Sequence, residues 1–579
     1  MVRYSRACLI LAACLAPTPT LWAQDFVSPE AATGRYQKTG GEAKKFMVAA
    51  ANPLAVQAGV DMLKAGGSAI DAAVAVQTVL NMVEPQSSGI GGGSFIVYWD
   101  NATKTLTTYD GRETAPAAAT ERRFLTAEGK SMDRATAVNG GHSVGVPGTV
   151  RVLDLAHKKH GKLPWARLFD PALKIADEGF ALSPRVHELI ALDRALGSME
   201  PAKSFFYQPD GTAKPVGTII KNPAFAATLR TIATKGADAF YMGPIAEDIV
   251  RAVTSSLVNP GDLTLDDLKN YKAVERAPIC LPYRDRKVCG MAPPTSGGVG
   301  VLQTLALLEP FDLGKMSPDS ALAQHAYIEA SRLAFADRAV YIADPDVLPI
   351  PTAELLSPAY LKARAALISL DKRLSKAEAG QLPRKAAFNW VPAGSPEKIS
   401  TSHFSIVDGM GNAVAMTTSI EGGFGSHVMV RGFMLNNTLT DFSYSDAAEG
   451  KVVANAVGPG KRPRSSMAPT VVFDKDGKLE MVVGSPGGPA IVGFVTQTLI
   501  AMIDWNMTPQ DAIASPHVVV FGNAVNIEPE LTPIKSALEA LGHQVRVGEF
   551  PSGIHAIRIT KQGLLGGADP RREGAVGGE

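Results

Sequence analysis

The chain has 579 residues, enough for more than one folded unit or for two interlocked halves. Its 57 Lys and Arg against 56 Asp and Glu leave a formal net charge of +1, which excludes the basic surface of a nucleic-acid binder and a polybasic membrane patch. With 46% hydrophobic and 20% charged residues, 55 Gly and 40 Pro spread as turns, and no repeat period, the composition is that of a globular protein without a membrane domain.

The first 23 residues read as a signal peptide. Arg3 and Arg6 precede an apolar stretch, 7–15, that is too short to span a bilayer, and Ala23 offers a small residue for cleavage. A periplasmic or secreted protein is therefore expected. Leu11-Ala12-Ala13-Cys14 resembles a lipobox, which would lipidate Cys14; cleavage after Ala23 is preferred because Cys14 lies so early. Helical spacing then runs over 53–65 to Gly66-Gly67, and a second helix rich in Ala and Val starts at Ala69. A glycine-rich run, 89–94, leads into a hairpin with strands over 95–99 and 106–109. Residues 150–374 are mainly helical. Within them Cys280 and Cys289 flank a turn at Arg284-Asp285 that sets them opposite each other, and export supplies the oxidant for a disulfide. Two cysteines with no nearby His make a poor metal site, so no metal is expected, and no cofactor either. Residues 375–400, polar and carrying Pro383, Pro392 and Pro396, read as an exposed connector. A strand-rich block begins abruptly at Thr401, with strands over 401–408, 412–420, 467–473 and 479–484 and helices over 492–504 and 509–515.

Asp408-Gly409-Met410-Gly411-Asn412 is a turn, and closing Asp408 on Asn412 sets the register of a hairpin. Thr401 then faces Ser419, His403 faces Thr417 and Ser405 faces Ala415, while Phe404, Ile406, Val414, Met416 and Ile420 form the core face. Opposite side chains lie about 5 Å apart at Cβ, so two hydroxyls are expected side by side with Glu421 next along. Taken alone this is the ordinary solvent face of a half-buried strand, and His403 reads as a satisfied strand histidine.

The surrounding blocks change that reading. Thr401-Ser402-His403-Phe404-Ser405-Ile406-Val407-Asp408, Leu435-Asn436-Asn437 with Asp441-Phe442-Ser443, Lys461 through Thr470, and Gly484-Ser485-Pro486-Gly487-Gly488 resemble, in order, the small subunit of gamma-glutamyltransferases. Gly91-Gly92-Gly93-Ser94-Phe95, Arg112-Glu113-Thr114-Ala115-Pro116 and Pro293-Pro294-Thr295-Ser296-Gly297-Gly298 are similar to blocks of the large subunit. The resemblance implies an α+β N-terminal-nucleophile hydrolase, an αββα sandwich built jointly by two subunits of one precursor. That precursor cuts itself at Ser400–Thr401 into a large subunit, 24–400, and a small catalytic subunit, 401–579, which remain a heterodimer.

On this resemblance Thr401 is the nucleophile, activated by its own freed α-amine, with Ser419 beside it. Gly487 and Gly488 match the oxyanion-hole pair. Arg112 matches the residue that takes the substrate α-carboxylate, with Ser465 and Ser466 as helpers, and Glu421 and Asp441 match receivers of the α-ammonium. The implied partners are glutathione or other γ-glutamyl donors, with water, amino acids or peptides as acceptors. Two departures bear on the pocket: Thr438 and Thr440 stand where Gln and Asp are common, and the stretch 444–453 is shorter than the lid of many relatives. Two alternatives remain: a glutaryl or cephalosporin acylase of the same fold, and an uncleaved, inactive protein that binds γ-glutamyl compounds.

Overall fold

A computed structural model describes residues 32–382, 389–392, 400–444 and 451–579. The signal segment with Cys14, the connector stretches 383–388 and 393–399, and residues 445–450 of the shortened loop lie outside the described residues.

The first helices form where capping predicts. Asn52 accepts a hydrogen bond from the Leu54 amide ahead of helix Pro53–Lys64, and Ser68 with Asp71 closes a capping box on Ala69–Val83. Every residue of the second helix is buried, which explains why Ala and Val occupy all its faces. Two seven-stranded antiparallel sheets make the centre. One runs Gly41–Ala43, Gly563–Ala568, His555–Thr560, Leu479–Gly484, Thr470–Phe473, Arg286–Gly290, Ile279–Tyr283. The other runs Ala575–Gly578, Met47–Ala50, Ser400–Val407, Ala413–Glu421, Gly93–Asp100, Thr105–Gly111, Val274–Arg276. Helices Gly297–Leu308, Ala321–Tyr341 and Ile491–Ile503 share a core with the first sheet, and Pro53–Lys64, Ala69–Val83 and Thr149–His160 share one with the second. This is the αββα sandwich expected from the sequence.

Half of these strands come from before residue 400, and in both sheets they alternate or abut with strands from after it. The stretches 24–400 and 401–579 are thus not separate folded domains. Cys280 stands opposite Cys289 in the hairpin Ile279–Tyr283/Arg286–Gly290, and the two are disulfide-bonded. The connector is anchored near its start, where the buried Gly380 donates its amide to Asp337 and accepts from the Tyr341 hydroxyl. At 389–392 it bridges Val452.

One expectation is corrected. The Thr401 face of the hairpin is not a solvent face: both faces of Ser400–Val407 and Ala413–Glu421 are buried, because the pair lies mid-sheet inside the sandwich. Its polar side chains meet the opposite sheet instead. Ser405 bonds the carbonyls of Val482 (3.3 Å) and His555 (3.2 Å). The His403 ring lies so close over Gly484 that a Cβ there would sit 2.2 Å from it, so only glycine fits. His403 is also satisfied within its own sheet, by Thr417 (2.9 Å) and Ser405 (3.1 Å).

This burial has a pH consequence. Burial is the largest cause holding His403 and His517 well below the usual imidazole range, and it holds His555 at about 3. Unfolded, each returns to about 6.5. The unfolded chain therefore binds more protons below that value, so the stability these groups confer is complete above it and is lost as pH falls. Tm is expected to drop between pH 7 and pH 5, as the unfolding free energy falls by up to about 1.4 kcal/mol per pH unit for each histidine. Thermal melts over that range check this, and a flat Tm contradicts it.

Candidate active site

The hairpin keeps the register expected for most of its length: His403 is opposite Thr417, Ser405 opposite Ala415, and Asp408 closes on Asn412 through a backbone bond of 2.9 Å with Gly411 at φ 80°. Asp408 also receives the Ala69 amide at 3.0 Å, which ties the turn to the start of a helix. At the open end the register slips. Ser402 pairs with Thr418 but Ser400 pairs with Glu421, so a bulge surrounds Thr401 and Ser419.

The bulge turns the Thr401 hydroxyl back onto the peptide that precedes it. Thr401 Oγ1 and Ser419 Oγ each donate to the Ser400 carbonyl oxygen at 2.7 Å, and the two hydroxyls are 3.2 Å apart. Ser419 Oγ accepts the Glu421 amide at 2.9 Å. Glu421 achieves this at φ 78°, a left-handed conformation that costs a non-glycine residue about 1–2 kcal/mol. The peptide is held on both sides: Ser400 Oγ donates to the Gln86 carbonyl at 2.5 Å, and the buried Arg572 donates to the Thr401 carbonyl at 3.1 Å.

Two buried ion pairs stand near this hairpin end. Arg112, 1% exposed, bonds Asp441, lies 3.5 Å from Glu113, and donates to the carbonyls of Pro463 and Arg464. Arg112 thus rests on the backbone directly before Ser465 and Ser466. Glu421 pairs with Arg134 at 3.0 Å and accepts from Asn437 at 2.5 Å. Thr438 donates its hydroxyl to Glu113 at 2.7 Å. Burial is the main cause raising the Glu113 carboxyl above its ordinary value, with Arg112 and the Thr438 bond opposing. Ser465 Oγ accepts the Met467 amide at 3.1 Å, and Ser466 Oγ accepts from Arg338 at 2.8 Å, while Arg338 also donates to Ser296. Strand Leu479–Gly484, which carries the glycine under His403, continues to Gly487 (φ 133°) and Gly488 (φ 53°). These two open a turn into helix Ile491–Ile503, and amides at a helix start lack intrahelical acceptors.

Sequence reasoning therefore places Thr401, Ser419 and Glu421 together, and Arg112 with Asp441. It missed Arg134, Arg338 and Arg572, whose partners lie far off in sequence and leave no local pattern. Glu113 and Asn437 sat inside recognised blocks without a role. Among the described residues one His/Glu group, His325, Glu329 and His543, is close enough to share a metal ion. Its members are already engaged, His325 with His543 at 2.6 Å and Glu329 with Arg332 at 2.7 Å.

Two antiparallel sheets between helical layers, with a threonine hydroxyl on a central strand turned onto its own preceding carbonyl, define the N-terminal-nucleophile hydrolase class. The family model described as gamma-glutamyltranspeptidase matches residues 55–579. The glutathione hydrolase proenzyme of Bacillus subtilis (strain 168) is 38% identical, over 92% of this chain and 91% of that one. The glutathione hydrolase proenzyme of Escherichia coli (strain K12) is 37% identical, over 91% of each. In three dimensions the chain is similar to a cephalosporin acylase from Bacillus halodurans, with TM-score 0.81 and 28% identity over 96% of this chain and 99% of the other. The chain belongs to the gamma-glutamyltranspeptidase family.

The Arg112–Asp441 pair is buried on both sides, so removing one partner strands a charge. Asp441→Ala is expected to cost about 3 kcal/mol of stability, read as a lower Tm, with Asp441→Asn milder because it keeps an acceptor for Arg112.

Proposed function

We propose that this chain is the precursor of a γ-glutamyl hydrolase and transferase that frees its own nucleophile by cleavage between Ser400 and Thr401. The observation that carries the reading is the pair of hydroxyls, Thr401 and Ser419, both 2.7 Å from the Ser400 carbonyl oxygen. From there Thr401 Oγ adds to the Ser400 carbonyl carbon, and Ser419 donates to the oxygen as it gains negative charge. Collapse breaks the peptide C–N bond, the Thr401 nitrogen leaves as an amine, and water hydrolyses the resulting ester to a Ser400 carboxylate. The products are a large chain ending at Ser400 and a small chain starting at Thr401. They stay together because their strands share both sheets. Residues 1–23 direct export, which gives the protein a periplasmic or secreted site of action.

The freed α-amine then takes the Thr401 proton, and the hydroxyl attacks the γ-amide carbonyl of the donor. Amides of Gly487 and Gly488 receive the oxyanion. The leaving amine departs with a proton, and the γ-glutamyl ester on Thr401 passes to water or to the amine of an amino acid or peptide. Arg112 and Asp441, already paired with each other, present opposite charges that suit the carboxylate and ammonium of a γ-glutamyl group. Glutathione is the donor that the names of the bacterial relatives suggest. A glutaryl or cephalosporin acylase is the second reading, supported by the full-length likeness to the Bacillus halodurans acylase. Asp441 beside Arg112 speaks for the first, since a glutaryl chain has no ammonium to offer it.

Purified native protein is expected to run as two chains, the smaller beginning at Thr401, and to release 4-nitroaniline from γ-glutamyl-4-nitroanilide. Thr401→Ala should stay a single chain and lose activity by at least about a thousandfold. Ser419→Ala should cleave itself at least about tenfold more slowly. Gel electrophoresis, N-terminal sequencing and the anilide assay check all three, and an active uncut chain would sink the reading.

A further inference from the structure

The Glu421 carboxylate stands where the resemblance places a receiver of the α-ammonium, yet in this chain it is already occupied. Its two oxygens meet Arg134 at 3.0 Å and Asn437 at 2.5 Å, and the carboxylate is only 2% exposed. Arg134 begins the short helix Arg134–Val138, 287 residues away in sequence. Its side chain is 17% exposed, and its Nε and Nη1 atoms are buried with no hydrogen-bond partner among the described residues. Burial is the main cause raising the Tyr444 hydroxyl above the usual phenol range, and Arg134, Glu421 and Asp441 all lie close enough to act on it as charges. The wall around them is firm: Tyr444 stacks on Phe124 at 4.7 Å and accepts the Ser131 hydroxyl on its carbonyl.

Two opposite-charge pairs stand here, Arg112 with Asp441 and Arg134 with Glu421. Glu113, the remaining acid, is pushed toward its neutral form. An incoming ammonium therefore finds one carboxylate, Asp441, whose partner Arg112 is simultaneously claimed by the substrate carboxylate. It finds the other, Glu421, screened by a guanidinium. We infer that Arg134 is a specificity-determining residue: by holding Glu421 it withdraws that carboxylate from α-ammonium recognition. Discrimination between γ-glutamyl and glutaryl amides is thereby left to Asp441 alone, and is narrower than it would be with Glu421 free. The reaction is unchanged: the amide C–N bond breaks, and the acyl ester on Thr401 is hydrolysed to the dicarboxylic acid. The inference rests on the proposed γ-glutamyl reading of the site.

The test is the ratio of kcat/KM for γ-glutamyl-4-nitroanilide to that for glutaryl-4-nitroanilide, measured on the self-cleaved protein. Arg134→Met is expected to raise the ratio at least about fivefold, mainly through a lower KM for the γ-glutamyl substrate, because Glu421 then needs the ammonium as counter-charge. Arg134→Lys restores the charge and is expected to stay within about twofold of native. A smaller rise with Met, or Lys behaving like Met, overturns the inference. Should Arg134→Met fail to fold and cleave, Glu421→Gln serves instead. It leaves the Arg134 charge unbalanced and is expected to lower the ratio at least about fivefold, a smaller change again overturning the inference. Native protein that turns over neither anilide overturns the γ-glutamyl reading and this inference with it. Native turnover with an unmoved ratio in the variants removes only the role of Arg134.

Discussion

The site depends on one irregularity, the bulge at Thr401 in an otherwise regular antiparallel pair. In an unbroken ladder the Thr401 and Ser419 side chains would stand side by side, and the Ser400 carbonyl would serve an ordinary strand bond. The slip frees that carbonyl from the ladder and places it under both hydroxyls. Glu421 supports the slip by adopting a positive φ that aims its amide at Ser419 Oγ. Strain of this kind persists only where the surroundings over-determine it. Here the Asp408 turn fixes one end of the hairpin, His403 wedged over Gly484 fixes the middle, and Arg572 holds the Thr401 carbonyl.

That support comes from both sides of the proposed cut. The strand Ser400–Val407 lies between Met47–Ala50 and Ala413–Glu421, and Ala413–Glu421 lies between it and Gly93–Asp100. A break at Ser400–Thr401 severs the chain at a strand end while leaving the ladders on either side intact. The buried apolar surface between the layers is likewise shared, since both main cores draw residues from before and after residue 400. Cleavage can thus release an amine without releasing a subunit.

Much of this was legible in the sequence because it is local. A period of two and a five-residue turn with Gly411 suffice to set the hairpin register, and a short turn suffices to bring Cys280 to Cys289. The bulge was not legible, since a single-residue slip leaves the alternation on each strand unchanged. Nor was the burial of both faces: the polar face of Thr401, His403 and Ser405 looks like a solvent face until the second sheet is known to supply its partners. Long-range pairs were invisible for the same reason. Thr438 stood out as a departure from a motif, but that its hydroxyl is committed to Glu113 follows only from bringing residues 325 apart into contact. Family blocks recovered Arg112 and Asp441 because they carry such contacts implicitly.

How the pocket selects follows from the state it is in before substrate arrives. Arg112 and Asp441 satisfy each other within a nearly dry site, so the pair is no vacant receptor waiting for charge. On the binding roles proposed for Arg112 and Asp441, a zwitterionic γ-glutamyl group replaces that contact by two of the same kind, carboxylate on Arg112 and ammonium on Asp441, and the exchange is close to balanced. A ligand bearing only the carboxylate takes Arg112 and leaves Asp441 buried with its main counter-charge shared. The penalty for leaving a buried charge poorly paired exceeds the gain from making one good pair. Selectivity at this pair therefore comes from the cost of the wrong ligand more than from the attraction of the right one. The Arg134–Glu421 pair carries no such penalty, because neither ligand has to open it.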